Sequence, residues 1–228
     1  MRITLPAFAA SQRIGYMLGG IAVVCLMVLV TLRIHLREPV TLPLSWFDRT
    51  IPFFPPAIFV YMSHFPFIGL ALWGLHDPLN MNRVLWSMLV ATGLASVVFF
   101  AYPINLPGHP PLESGGPIRS LFALLYSVDR LNNCFPSLHV AIACLAAWGY
   151  WHEQRHLFPF AAIWALSITT STVLVKQHYF VDIPGGFVLA ILSHAVVWRS
   201  VDFRLVDSRR IPDGATAESE PRLSKEAR

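Results

Sequence analysis

The sequence predicts an all-α fold, an integral membrane bundle of six transmembrane helices with a short interfacial helix before the fourth. Three observations predict it. Only 13% of the 228 residues are charged and 55% are hydrophobic, against about 25% charged in an ordinary soluble domain. Mean hydropathy is +0.54. The apolar residues also gather into six runs, most near the ~20 residues that a helix needs to cross ~30 Å of hydrocarbon. Lipid offers the backbone no partners, so each run is expected to be helical throughout.

The first run, 14–32, is longer than a signal-peptide core, and no small-residue cleavage pattern follows it. Arg33, Arg37 and Glu38 follow instead. The connection 32–55 carries Pro39, Pro43, Pro52 and Pro55 and is expected to be tight and partly interfacial. The second run is 56–75, containing Ser63 and His64, and the third is 84–102. The longest connection, 102–135, opens with Pro103, Pro107, Pro110 and Pro111, which block regular helix. Ile118, Leu121, Phe122, Leu125 and Val128 then recur at helical spacing and predict an amphipathic helix over 118–128 at the interface. The fourth run, 138–151, is short, so its start is expected a few residues earlier. The fifth is 158–175 and the sixth 183–201. Residues 1–202 then form one membrane domain, and 203–228 form a polar tail expected to be disordered. Trp46, Trp86, Trp151 and Trp198 near the run ends fit an aromatic belt. The three cysteines give no disulfide framework; Cys25, Cys134 and Cys144 read as packing residues.

Six spans put both termini on one side and the first, third and fifth loops on the other. The termini side carries Arg2, Arg13, Arg83, Arg155, Arg199 and six tail cations. The other side carries Arg33, Arg37, Arg49, Arg119, Arg130 and Lys176. The excess places the termini inside. The expectation is a plasma (inner) membrane protein whose odd-numbered loops face out of the cytoplasm. A net charge of +4 with the basic residues spread this way is no nucleic-acid footprint.

Two strings on the loop side carry chemistry: Pro136-Ser137-Leu138-His139, and Lys176-Gln177-His178-Tyr179-Phe180-Val181-Asp182. Each sets a histidine at the edge of an apolar run, at the height of lipid headgroups. Ionisable groups there are costly and mark function. No two acids lie close together in a loop beside a span, so the carboxylate cluster that holds Mg²⁺ in many phosphoryl transferases is absent. Phosphoryl chemistry must then rest on imidazole, cations and backbone N–H groups, with no metal and no cofactor. Neutral His178 suits a nucleophile that forms a phosphohistidine. Asp182, four residues on, shares its face if the stretch is helical and would orient the ring. His139 would protonate the leaving alkoxide. Pro136 suits the first turn of the fourth helix, whose N–H groups attract an anion. Ser137 adds a hydroxyl and Lys176 a charge for the phosphate. Taken singly, Lys176 also reads as a snorkelling anchor and Asp182 as a helix cap. His64 and His194 lie inside runs and read as buried hydrogen-bonding residues. His109 lies on the loop side, within reach of a substrate. His35, His76, His152 and His156 read as interfacial surface residues.

Asn133-Cys134-Phe135-Pro136-Ser137-Leu138-His139 together with the Lys176–Asp182 string resembles the type 2 phosphatidic acid phosphatase superfamily, most of all its branch of inositol phosphorylceramide synthases and related bacterial proteins. The resemblance covers roughly 101–190. It implies the same roles for His178, Asp182 and His139. Two family features are missing: no Arg-Pro pair exists, and Ser171-Thr172 stands where the family usually has Ser-Arg. Lys176, then Arg130, then Arg119 are the available replacements for the phosphate-binding cations. The function implied is metal-independent hydrolysis or transfer of a lipid phosphate or phosphodiester, with water or an alcohol as acceptor. Two alternatives stand beside it: a haem-binding bundle with His64 and His194 as the axial pair, and a non-catalytic relative that binds or moves lipid.

Overall fold

The central helix organises the rest. In the computed structural model, which describes residues 3–7, 12–34, 36–112, 115–128 and 132–205, helix α7 (Leu138–Glu153) is apolar on every side and residues 140–147 are all buried. A helix apolar all round belongs in a bundle interior, and its small residues let neighbours approach closely. Around it stand α4 (His64–Gly74), α5 (Pro78–Ala101), α8 (Phe158–Leu174) and α9 (Asp182–Ser200), with α1 (Arg13–Thr31) outside against α5. Within α5, buried Asn82, Ser87, Thr92 and Ser96 each donate to the carbonyl four residues back, which satisfies those donors within the helix.

Among the described residues, four segments are long and apolar enough to cross a membrane: Arg13–Thr31, Pro55–Gly74, Pro78–Ala101 and Asp182–Ser200. α8 is apolar but has 17 residues, and α7 has 16. The third run starts earlier than 84, because Asp77 accepts from the N–H groups of Leu79 and Asn80 and Pro78 takes the first position. The second is not one helix. A 3₁₀ turn (Pro55–Ala57) leads into α3 (Ile58–Met62), and α4 restarts at His64. Pro66 has no N–H to offer the Met62 carbonyl, so the chain breaks at Ser63. The fourth does not begin before 138 as expected. Ser137 is its N-cap, its hydroxyl accepting from Val140 N–H at 3.4 Å. Pro136 therefore precedes the helix instead of opening it, behind a cis Phe135–Pro136 bond.

The amphipathic helix is present as α6 (Gly116–Val128). It buries Phe122 and Leu125 beside Ile58, Tyr61 and Val175, and leaves Leu124 and Val128 exposed. The fold also holds strands that the all-α expectation lacked. β1 (Ile3–Ala7) pairs in parallel with β4 (Val201–Leu205), and β2 (Val40–Thr41) with β3 (Ile104–Asn105). The tail expected from 203 thus begins as a strand, because Phe203 buries beside Ala7 and Val197 while the ladder satisfies the backbone. Residues 206–228 lie outside the described residues.

Candidate active site

Three of the fold's constraints meet at His178. α9 begins at Asp182, four residues past it. The start of α9 approaches the start of α7 because residue 186 is glycine: a Cβ there would sit 2.6 Å from the Ser137 carbonyl oxygen and 2.7 Å from Val140 Cβ. Ser137 N–H donates to the Asp182 carbonyl at 3.2 Å, which locks the two helix starts together.

The side chains follow from that contact. Asp182, fully buried, accepts through Oδ2 from Tyr179 N–H at 2.8 Å and from His178 Nδ1 at 3.0 Å. His178 Nδ1 also lies 3.0 Å from the Cys134 carbonyl. Both neighbours are acceptors, so Nδ1 carries the hydrogen and Nε2 carries the lone pair. Nε2 in turn lies 3.2 Å from Ser137 Oγ and 3.4 Å from His139 Nδ1. The two imidazoles, 39 residues apart in sequence, therefore converge on one point. His139 packs against Tyr61 and His64, each with ring centroid 4.6 Å away and tilted to it.

A cavity of about 310 Å³ opens beside His178, lined by Asp48, His109, Lys176 and Tyr179 among others. Lys176 Nζ donates to the carbonyls of Asp48 at 2.9 Å and Ile51 at 2.5 Å. Burial holds its ammonium pKa below the usual value, with the Asp48 charge opposing that. Burial also pushes the Tyr179 phenol up to about 12, and its hydroxyl donates to the carbonyls of Leu42 and Asn105. His109 stacks on Tyr126, and burial lowers its pKa.

The structure thus brings together His139, His178, Asp182 and Ser137, with Lys176 on the wall of the adjoining cavity. Arg119 sits exposed on α6. Arg130 lies outside the described residues. Among the described residues, no group of three or more His, Cys, Asp or Glu side chains could hold a metal ion. The histidines proposed as an axial pair do not meet. His64 packs on His139 at the start of α7, whereas His194 lies 3.1 Å, Nε2 to Nε2, from His152 near its end. Thirteen residues of helix separate those points by about 20 Å, too far to share one iron. Nor is His64 hydrogen-bonded through Nδ1, which is buried without a partner.

Sequence reasoning passed over Asp48, Tyr61 and Cys134 as site neighbours, and gave His64 another role. Ser45-x-x-Asp48 was legible as a capping box, and the structure makes it at the start of α2 (Trp46–Thr50). Cys134 acts through its backbone carbonyl, which leaves no trace in residue type. Tyr61 is one apolar-run residue among many.

Comparison with curated proteins and with solved structures yields no match. A family model described as the PAP2 superfamily does match, over residues 35–196. That span covers more than half of the chain and takes in both histidine strings, so the chain belongs to the PAP2 superfamily.

Proposed function

We propose that this chain is a membrane enzyme that moves the phosphoryl group of a lipid phosphate or phosphodiester through a phosphohistidine on His178. The superfamily supports a phosphatase-type enzyme. One observation carries the assignment of residues: His178 has its Nδ1–H engaged by Asp182 while its Nε2 faces His139 and Ser137.

The chemistry runs in two balanced halves. The Nε2 lone pair attacks phosphorus, the bond to the lipid oxygen breaks, and His139 gives that alkoxide its proton. The phosphorylated imidazolium is stabilised through Nδ1–H by Asp182. Water or an alcohol then attacks phosphorus, its proton passes to His139, and the P–N bond breaks to restore neutral His178. Ser137, the first N–H groups of α7 and the remaining hydrogen of the Lys176 ammonium meet the phosphate oxygens. Arg130 and Arg119 supply further positive charge on the same side. The histidine strings favour the inositol phosphorylceramide synthase-like branch.

In the membrane, α7 and α8 complete six spans with the four longer segments, and α6 lies at the interface. The site faces out of the cytoplasm across the plasma membrane, and residues 1–202 carry the activity.

The test is phosphate release or transfer from a panel of lipid phosphates, with and without alcohol acceptors. Wild type should turn over, orthovanadate should inhibit, and EDTA should leave the rate unchanged. His178→Ala should be inactive and fail to trap labelled phosphate. Activity of His178→Ala equal to wild type would end this reading.

A further inference from the structure

The segment that carries His178 has no regular structure of its own. It joins α8 to α9 through turns, and Lys176 sits there at φ 56°, in the left-handed region that costs a side-chain-bearing residue about 1 kcal/mol or more. Something outside must hold it. Tyr179 N–H is taken by Asp182 at 2.8 Å, from within the same string. Phe180 N–H is taken at 2.7 Å by Oδ1 of Asp48, which lies 132 residues earlier, in the first connection.

The rest of the first connection reinforces that bond. The other carboxylate oxygen of Asp48 accepts from the N–H of Ser45 at 2.8 Å and from its hydroxyl at 2.5 Å, so the carboxylate is fixed from both sides. Lys176 Nζ binds the Asp48 and Ile51 carbonyls. Phe47 stacks on Phe180 with centroids 4.4 Å apart and planes 17° from parallel. Phe54 N–H donates to the Leu174 carbonyl at 2.9 Å. Two carboxylates therefore grip successive N–H groups directly after His178, one on each side of the turn.

We propose that Asp48 is a positioning residue for His178: it holds the turn that aims Nε2 at the reacting phosphorus, and the first connection is thereby part of the active site. The proposal rests on His178 being the nucleophile. Near-attack geometry tolerates little error, and a displacement of about 1 Å costs on the order of 10²-fold in rate.

The experiment compares Asp48→Ala, Asp48→Asn and Ser45→Ala with wild type, all full length in detergent. Asp48→Ala removes both the grip on Phe180 and the capping box. Asp48→Asn keeps a carbonyl oxygen for Phe180 N–H. Ser45→Ala loses the cap and the hydroxyl's bond to Asp48 Oδ2, but keeps the bond from the N–H of residue 45 to that oxygen and leaves Oδ1 on Phe180 N–H. Asp48→Ala should lower kcat about 100-fold with KM within threefold, Asp48→Asn should recover part of that loss, and Ser45→Ala should stay within threefold of wild type. A second readout needs no turnover: diethyl pyrocarbonate labelling of His178, followed by mass spectrometry. Labelling should quicken at least fivefold in Asp48→Ala, but not in Ser45→Ala, while exposed His76 keeps its rate in every variant. Equal losses in Ser45→Ala and Asp48→Ala would mean that α2 merely needs its cap, and overturn the proposal. So would unchanged His178 labelling in Asp48→Ala. An inactive wild type would count against the phosphohistidine reading, while the labelling would still decide whether Asp48 holds the turn.

Discussion

At the scale of single residues, the decisive fact is which ring nitrogen of His178 holds the hydrogen. Two acceptors at 3.0 Å fix it on Nδ1 and leave the lone pair on Nε2, as the proposed nucleophilic role requires. An amide in place of Asp182 can present N–H to the ring and favour the wrong tautomer. Asp182→Asn should therefore lower kcat by about 10²–10⁴, with detergent-extracted protein still folded by circular dichroism; steady-state kinetics near wild type would contradict the role. Asp48 gives a prediction with a definite sign. Burial raises its pKa, but the Ser45 and Phe180 hydrogen bonds and the Lys176 charge outweigh that and hold it below the ordinary carboxylate value. A lowered folded-state pKa contributes stability above the unfolded value of about 3.9, and that stability is lost as pH falls through the folded value. Asp48→Asn should melt below wild type at neutral pH, and the two should converge as pH drops below about 4.

At the scale of elements, the site depends on two helix starts lying against each other. α7 supplies Ser137 as its cap and His139 in its first turn, and α9 supplies Asp182. Gly186 sets their separation. A methyl group there would overlap the Ser137 carbonyl and Val140, so α9 must move away. Gly186→Ala should destabilise the protein by about 1–3 kcal/mol and lower kcat by at least about tenfold, since shifting α9 carries Asp182 out of register. Thermal unfolding with parallel kinetics checks both, and a variant with wild-type values in each would show that the close approach is dispensable. The break at Ser63 has a comparable effect. It starts α4 at His64, whose ring then packs on His139.

At the scale of the whole molecule, α7 forms the axis and the candidate site gathers at one of its ends. The other end is closed by different means: His152 and His194 meet there, and β1 pairs with β4. Phe203 buries beside Ala7 and Val197 in that closure. Phe203→Ala should lower stability by about 3 kcal/mol yet leave kcat at 25 °C within twofold, because the bundle separates it from His178. A large loss of kcat without loss of stability would mean that the two ends are coupled.

Composition and run length were enough to expect a helical membrane bundle, since an apolar run of about 20 residues in lipid satisfies its own backbone as a helix. The spacing of His178 and Asp182 and the loop parity were enough to expect His139 beside them, because those relations are local or topological. Helix boundaries at 78 and 138 shifted because caps, and not hydropathy, set where a helix begins. The aim of Lys176 and the grip of Asp48 on Phe180 are contacts between residues up to 132 positions apart. No local pattern encodes such a pairing; it exists only once packing has brought the first connection onto the turn before α9.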